Sequence, residues 1–110
     1  MRILRTNSTA ELIVDYNDLS NLVPLLAQLE TQLRDECAQV VIVNLQAFDS
    51  IFSLQIGALA AMHVMCYENL AVMKLSNVHE HVKNQLTMVG LDKMMEIHHG
   101  AKAASESFHA

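Results

Sequence analysis

With 110 residues, 52% of them hydrophobic and 17% charged, the chain has the composition of a folded domain and not of a disordered segment. Its net charge of −5 and scattered Lys and Arg exclude a nucleic-acid binder of the usual kind, which needs clustered cations to neutralise phosphates. No apolar run reaches the roughly 18 residues of a membrane-crossing helix, and Cys37 and Cys66 have neither CxxC nor ligand spacing.

Reduced thiols in a cytoplasmic protein are therefore expected, the more so because the first ten residues lack the apolar stretch of a signal peptide. A single domain over 1–110 is the natural organisation.

The elements follow in chain order. Ile3 and Leu4 suggest a short first strand, closed by the turn formers Asn7-Ser8-Thr9. Ala10–Tyr16 alternates apolar and polar residues and predicts a second strand. Asn17–Asn21 is rich in turn and cap formers, and Pro24 fits the first turn of a helix. Leu22, Leu25, Leu26, Leu29 and Leu33 give that helix an apolar face ending near Cys37.

Val40–Leu45 is a β-branched apolar run, too short for a helix, and reads as a strand buried on both faces. A loop over Phe48–Phe52 follows, with Ser53 as cap of a helix reaching Glu68. Leu54, Ala58, Ala61, Met62 and Met65 mark its inner face, and Gly57, Ala58, Ala60 and Ala61 should permit close approach to a sheet. Ala71–Leu75 is a fourth strand. Val78–Val89 is a helix stopped by Gly90, which stands where a positive φ is wanted. Met94–Ile97 reads as a weak last strand and Gly100–His109 as a last helix. The order β-β-α-β-α-β-α-β-α predicts an α/β fold, a mixed sheet of about four to five strands with about four helices.

The search for chemistry returns little. No GxxxxGK[ST], GxGxxG or GxSxG sequence occurs. Of the six His, the pairs His79/His81 and His98/His99 lack metal-ligand spacing, and His63 lies within a helix, so no metal and no cofactor are expected. Met62 and Met65 read as core, while Met94 and Met95 sit where one could face a partner. Asp15, Asp18, Asp49 and Asp92 share no motif. A binding module is favoured over an enzyme, and no catalytic residue is assigned.

One stretch carries more. Val40-Val-Ile-Val-Asn-Leu-Gln-Ala-Phe-Asp-Ser-Ile-Phe-Ser53-Leu-Gln-Ile-Gly57-Ala-Leu59 resembles the central block of STAS domains, in which a buried strand ending in Asp-Leu or Asn-Leu leads to Asp-Ser-[Ser/Thr]-Gly-Leu-Gly at a helix start. Asn44-Leu45 falls on the strand end, Ser53 on the family's phosphorylated Ser, and Ile56-Gly57 on the Leu-Gly that follows. Val82 to Leu91 is similar to the family's Val-x-x-x-Leu/Phe-x-x-x-Gly-Leu helix end, and Pro24 falls near a Pro of some members. The resemblance spans roughly residues 10–105. Phe52 stands in place of the motif's Asp, Leu54 in place of its second Ser or Thr, and Gln55 in place of its Gly. Asp49-Ser50 offers a second Asp-Ser, three residues too early.

The resemblance implies a cytoplasmic bacterial regulator similar to anti-sigma factor antagonists. Ser53 would be phosphorylated by an anti-sigma-type serine kinase and restored by a phosphatase, both acting in trans. Phe52, Leu54, Gln55, Asp49 and Ser50 would shape the surface for a downstream regulatory protein, and a monomer is expected. The alternative is a constitutive STAS subunit of a transport or sensory assembly, with Ser53 never phosphorylated. A small ligand-binding domain or an enzyme would need a pocket of convergent polar groups that the sequence does not announce.

Overall fold

The computed structural model describes residues 1–98, so the helix expected over Gly100–His109 lies outside them. The described elements are β1 (Arg2–Thr6), β2 (Thr9–Ile13), α1 (Tyr16–Ser20), α2 (Leu22–Glu30), β3 (Val40–Asn44), α3 (Ser53–Glu68), β4 (Val72–Ser76), α4 (Glu80–Met88) and β5 (Glu96–Ile97). The five strands lie side by side in chain order. β1 and β2 are antiparallel, joined by a tight turn in which Asn7 takes a φ of 55°. Each later strand is parallel to the one before it.

Period-two alternation divides the sheet into two faces. Ala10, Leu12, Val41, Val43, Met73 and Leu75 join the main core with Leu25 and Leu29 of α2, Leu59 and Met62 of α3, and Val82 and Leu86 of α4. Val40 and Ile42, on the intervening positions of β3, form a separate small cluster on the other face. All five residues of β3 are buried, as its continuous apolar run predicts. Lys74 of β4 is 2% exposed, and its ammonium meets the Glu96 carboxylate of β5 at 3.0 Å.

Several local expectations change. The second strand ends at Ile13, because Asp15 turns the chain into α1. The Asp15 carboxylate accepts from Asp18 N–H at 2.9 Å, and the Asp18 carboxylate accepts from Asp15 N–H at 2.9 Å. Such a reciprocal cap outcompetes continued extension. The stretch Asn17–Asn21, expected as turn and cap, contributes to a short helix of its own, α1, and the helix expected from Leu22 to near Cys37 follows as α2, the second helix of the pair. The second continues as a π-helical stretch, Thr31–Asp35, before Cys37 reverses the chain with a φ of 55°. The last strand shrinks to Glu96–Ile97, because Leu91–Lys93 forms a 3-10 turn first. Met94 is exposed and Met95 buried.

Gly90 terminates α4 as expected, with a φ of 83° that a side chain would strain. α4 itself starts later than expected, at Glu80, with His79 as its cap residue.

The reading of α3 needs the largest correction. Its buried residues are Gln55, Ala58, Leu59, Met62 and Cys66, while Leu54 is exposed. Gly57 faces open space, with nothing within 4 Å of where a Cβ would stand, so it does not serve approach to the sheet. The helix is apolar on both its inner and outer faces, and the Leu and Ala pattern alone could not distinguish them.

Candidate functional site

The loop between β3 and α3 occupies the carboxyl end of the central strand. Asn44 closes the strand: its amide donates to Glu11 Oε2 at 3.0 Å, and its side-chain oxygen accepts from Gln46 N–H at 2.9 Å. Leu45 N–H then donates to the Ser76 carbonyl and Phe48 N–H to the Leu45 carbonyl, each at 3.0 Å. Phe48 and Ile51 are fully buried and act as two apolar anchors for the loop, each contributing about 1.5–3 kcal/mol of burial.

Three side chains from other elements pin what lies between and after those anchors. Tyr16 of α1 packs its ring on Phe48, centroids 4.6 Å apart, and its hydroxyl donates to the Ser50 carbonyl. Gln85 of α4 accepts from Ile51 N–H at 2.9 Å and donates to the Ile51 carbonyl at 2.8 Å. Gln55, in the first turn of α3, accepts from Phe52 N–H at 2.9 Å and donates to Ser20 Oγ at 3.0 Å. The His79 imidazole approaches the Gln46 carbonyl at 3.1 Å.

Ser53 is the first residue of α3 and not its cap. Phe52 takes the cap position with extended backbone, φ −123° and ψ 175°. Phe offers no side-chain acceptor, so the end is stabilised from inside the helix, by Gln55 reaching back. The first N–H donating within the helix is that of Ile56, to the Phe52 carbonyl at 2.9 Å. The N–H groups ahead of it are the usual orphan donors of a helix start, beside the positive end of the dipole.

The structure therefore sorts the six residues expected at the site. Ser53 is exposed, flanked by Phe52 at 62% and Leu54 at 59% exposure. Asp49 is exposed and Ser50 half-buried on the same loop. Gln55 is 5% exposed, so its part is to hold the loop from beneath and not to present a surface. Tyr16, Ser20 and Gln85 were not anticipated. Their partners lie more than thirty residues away in sequence, and no local pattern announces them. Gln55 did carry a signal, since Gln three residues after a cap position is the second half of a capping box.

Elsewhere the chemistry is sparse. Among the described residues, no three His, Cys, Asp or Glu side chains gather as a metal site would require, and no helix is long and apolar enough to cross a membrane. Burial pushes the Cys66 thiol up to about 12, which keeps it protonated and unreactive.

Comparison with solved structures places this architecture. A serine-to-glutamate variant of RsbS from Moorella thermoacetica superposes with a TM-score of 0.83, covering 94% of this chain and 92% of that one at 12% identity. The chain folds as a STAS-like domain. A Thermotoga maritima protein solved as a candidate anti-sigma factor antagonist matches with a TM-score of 0.76, covering 99% of this chain and 94% of that one at 14% identity. A chain of the stressosome, described as a signal integration and transduction hub, gives 0.80 over 92% of this chain and 90% of that one, at 14% identity. A sulfate transporter family protein of Wolinella succinogenes matches at 0.64 over 84% of this chain and 79% of that one, at 16% identity. No family model and no curated protein matches the sequence. The STAS-like fold is thus shared at identities where sequence comparison is silent, and the buried β3 with its clamped loop is where the sequence resemblance to STAS domains was strongest.

Proposed function

We propose that this STAS-like chain is a non-catalytic regulatory domain whose binding to a downstream protein is switched by reversible phosphorylation of Ser53. The observation that carries the reading is the placement of Ser53: an exposed residue at the first position of α3, directly after a loop held from three sides. A serine kinase of the anti-sigma type and a phosphatase act on it in trans, in a bacterial partner-switching pathway.

The physics of such a switch is simple. Phosphorylation adds about −1.5 to −2 charges at pH 7. The helix start tolerates them, because orphan N–H groups and the dipole favour an anion there. The fold therefore persists while the surface changes. A partner packed over Phe52 and Leu54 would have to desolvate a dianion, and leaving a buried charge unpaired costs about 3–5 kcal/mol. That is more than a hundredfold in affinity, at about 1.4 kcal/mol per decade. Asp49 and Ser50 border the same surface, and Gln55 keeps its shape.

The test is twofold. Protein isolated from its source cells should carry one phosphate, mapped to Ser53 by fragmentation. A partner retained by wild type and Ser53→Ala should be lost with Ser53→Asp. Identical partners for all three forms, with no phosphate at Ser53, would remove the switch. They would favour the second reading, a constitutive subunit of a larger assembly. Similarity to a stressosome chain and to a sulfate transporter family protein supports that alternative.

A further inference from the structure

β1 is an open edge of the sheet. It pairs with β2 on one side, and among the described residues no strand pairs with its other side. It has five residues, where the opposite edge strand, β5, has two. Thr6 and Thr9 flank a two-residue loop and so form the first hydrogen-bonded pair of the hairpin. Bonded and non-bonded pairs alternate from there, which turns the N–H and carbonyl groups of Ile3 and Arg5 away from β2. Such a row of outward backbone groups is a template for one more strand.

The side chains along the edge say which strand fits. Ile3 and Arg5 lie on the helix-covered face, and Arg2, Leu4 and Thr6 on the other. A groove of about 330 Å³ lies between Ile3 and Asn21, Pro24, Leu25 and Gln28. No residue of β2 or β3 lines it, so it sits on the open side of β1. Asp18 also borders it, with its carboxylate engaged by the Asp15 N–H. On the other face a groove of about 240 Å³ is bordered by Leu4, Thr6, Thr9 and Ile42. Alternate side chains of an added strand would meet the two grooves in turn.

Charge narrows the choice further. The first ten residues carry Arg2 and Arg5 and no carboxylate, in a chain whose remaining residues hold all twelve. Arg2 is exposed and makes no hydrogen bond or ion pair. Arg5 donates to the Asn7 and Glu36 carbonyls at 3.0 and 2.8 Å, neutral groups that leave its charge uncompensated. A second copy of β1 would bring the same cations to the edge, whereas opposite charges facing across a strand pair stabilise it.

We propose that the open edge of β1 docks an extended acidic segment of a partner protein, which joins the sheet as a further strand. Its recognition pattern is acid, apolar, apolar, acid: carboxylates opposite Arg2 and Arg5, and apolar side chains opposite Ile3 and Leu4. The first apolar side chain enters the groove beside Pro24 and Leu25. The second covers Leu4, which is 43% exposed. The pattern reads the same in both directions, so parallel and antiparallel strands present the same groups. This surface depends on neither Ser53 nor its phosphorylation.

The probe is a fluorescent, end-blocked peptide, Thr-Thr-Glu-Val-Val-Glu-Thr-Thr, titrated by anisotropy. It should bind saturably, and the same peptide with Lys in place of Glu should bind about tenfold more weakly. Arg2→Glu, with an unchanged thermal melt, should weaken the Glu peptide about fivefold. The Glu peptide should slow amide exchange at Ile3 and Arg5 and leave Leu4, already paired with β2, as it was. N-methylation of both Val residues removes the central donors of the peptide and should abolish binding. Absence of binding up to the millimolar range overturns the proposal, as does equal binding of the N-methylated peptide. A Glu peptide indifferent to Arg2→Glu overturns the acidic partner. Protection of Ile3 and Arg5 that rises with protein concentration alone would assign the edge to a second copy of the chain and overturn it too.

Discussion

Gln85 and Ile51 meet as a closed pair: the Gln85 side-chain amide satisfies both the N–H and the carbonyl of Ile51, at 2.9 and 2.8 Å. The residues are 34 positions apart, and the pair ties α4 to the loop that presents Ser53. Gln85→Ala should leave both Ile51 groups without these partners in a partly buried place, costing about 1–3 kcal/mol in chemical denaturation. Amide exchange at Ile51 should quicken at the same time. Gln85→Glu should recover little, because a carboxylate accepts from the N–H but cannot donate to the carbonyl.

Gln55 is the corresponding clamp within α3. Gln55→Ala removes the acceptor for Phe52 N–H and the donor to Ser20 Oγ, and a loss of about 1–2 kcal/mol is expected. Gln55→Glu should be milder. It keeps the acceptor, the Ser20 hydroxyl can turn to donate, and negative charge in the first turn is favourable. Denaturation midpoints of the two variants, compared at neutral pH, decide this.

Asp15 confers an acid-dependent stability on the entry to α1. Its carboxyl sits below the ordinary 3.8, chiefly because it accepts from Asp18 N–H, against an opposing push from desolvation. A group depressed in the folded state contributes fully above its unfolded value and loses that contribution as pH falls through its folded value. Asp15→Asn should therefore flatten the decline in stability below pH 3.8 while retaining most of the cap at neutral pH, since Asn also accepts. Thermal melts across the acid range check the slope.

The two cysteines should differ sharply. Cys37 is exposed, while Cys66 is buried in the core with its thiol pushed up to about 12. Iodoacetamide at neutral pH should add one label to the folded protein, at Cys37, and two in denaturant. Rapid labelling of Cys66 under native conditions would mean that α3 separates from the sheet far more readily than its packing suggests.

Much of the architecture was legible because it is written in local periodicity. The run Val40–Asn44 could only be a buried strand, and Gly90 could only end α4 so neatly by adopting a positive φ. Errors came where two local signals competed. At Val14–Tyr16 an alternating pattern met a capping pair, Asp15 and Asp18, and the cap won. Along α3 the outer face is as apolar as the inner one, so the pattern points Leu54 to the core and Gly57 to the sheet contact, whereas the structure exposes both. The position of Ser53 emerged from the resemblance to STAS domains. The clamps that hold its loop, Tyr16 and Gln85, act across more than thirty residues and leave no trace in the neighbouring sequence.

The order of the sheet has a consequence for how the chain is made. From β2 onward each strand pairs with the next in sequence, and paired residues such as Ala10 and Val41, or Val41 and Met73, lie about thirty apart. A ribosome releasing the chain thus supplies the strands in the order in which they dock, each new strand finding its neighbour already exposed at the growing edge. No described strand must be threaded between two that are already joined. Assembly can proceed from the amino-terminal hairpin outward during synthesis, and the Ser53 loop, already reached by Tyr16 and Gln55, gains its last clamp when Gln85 arrives behind the fourth strand.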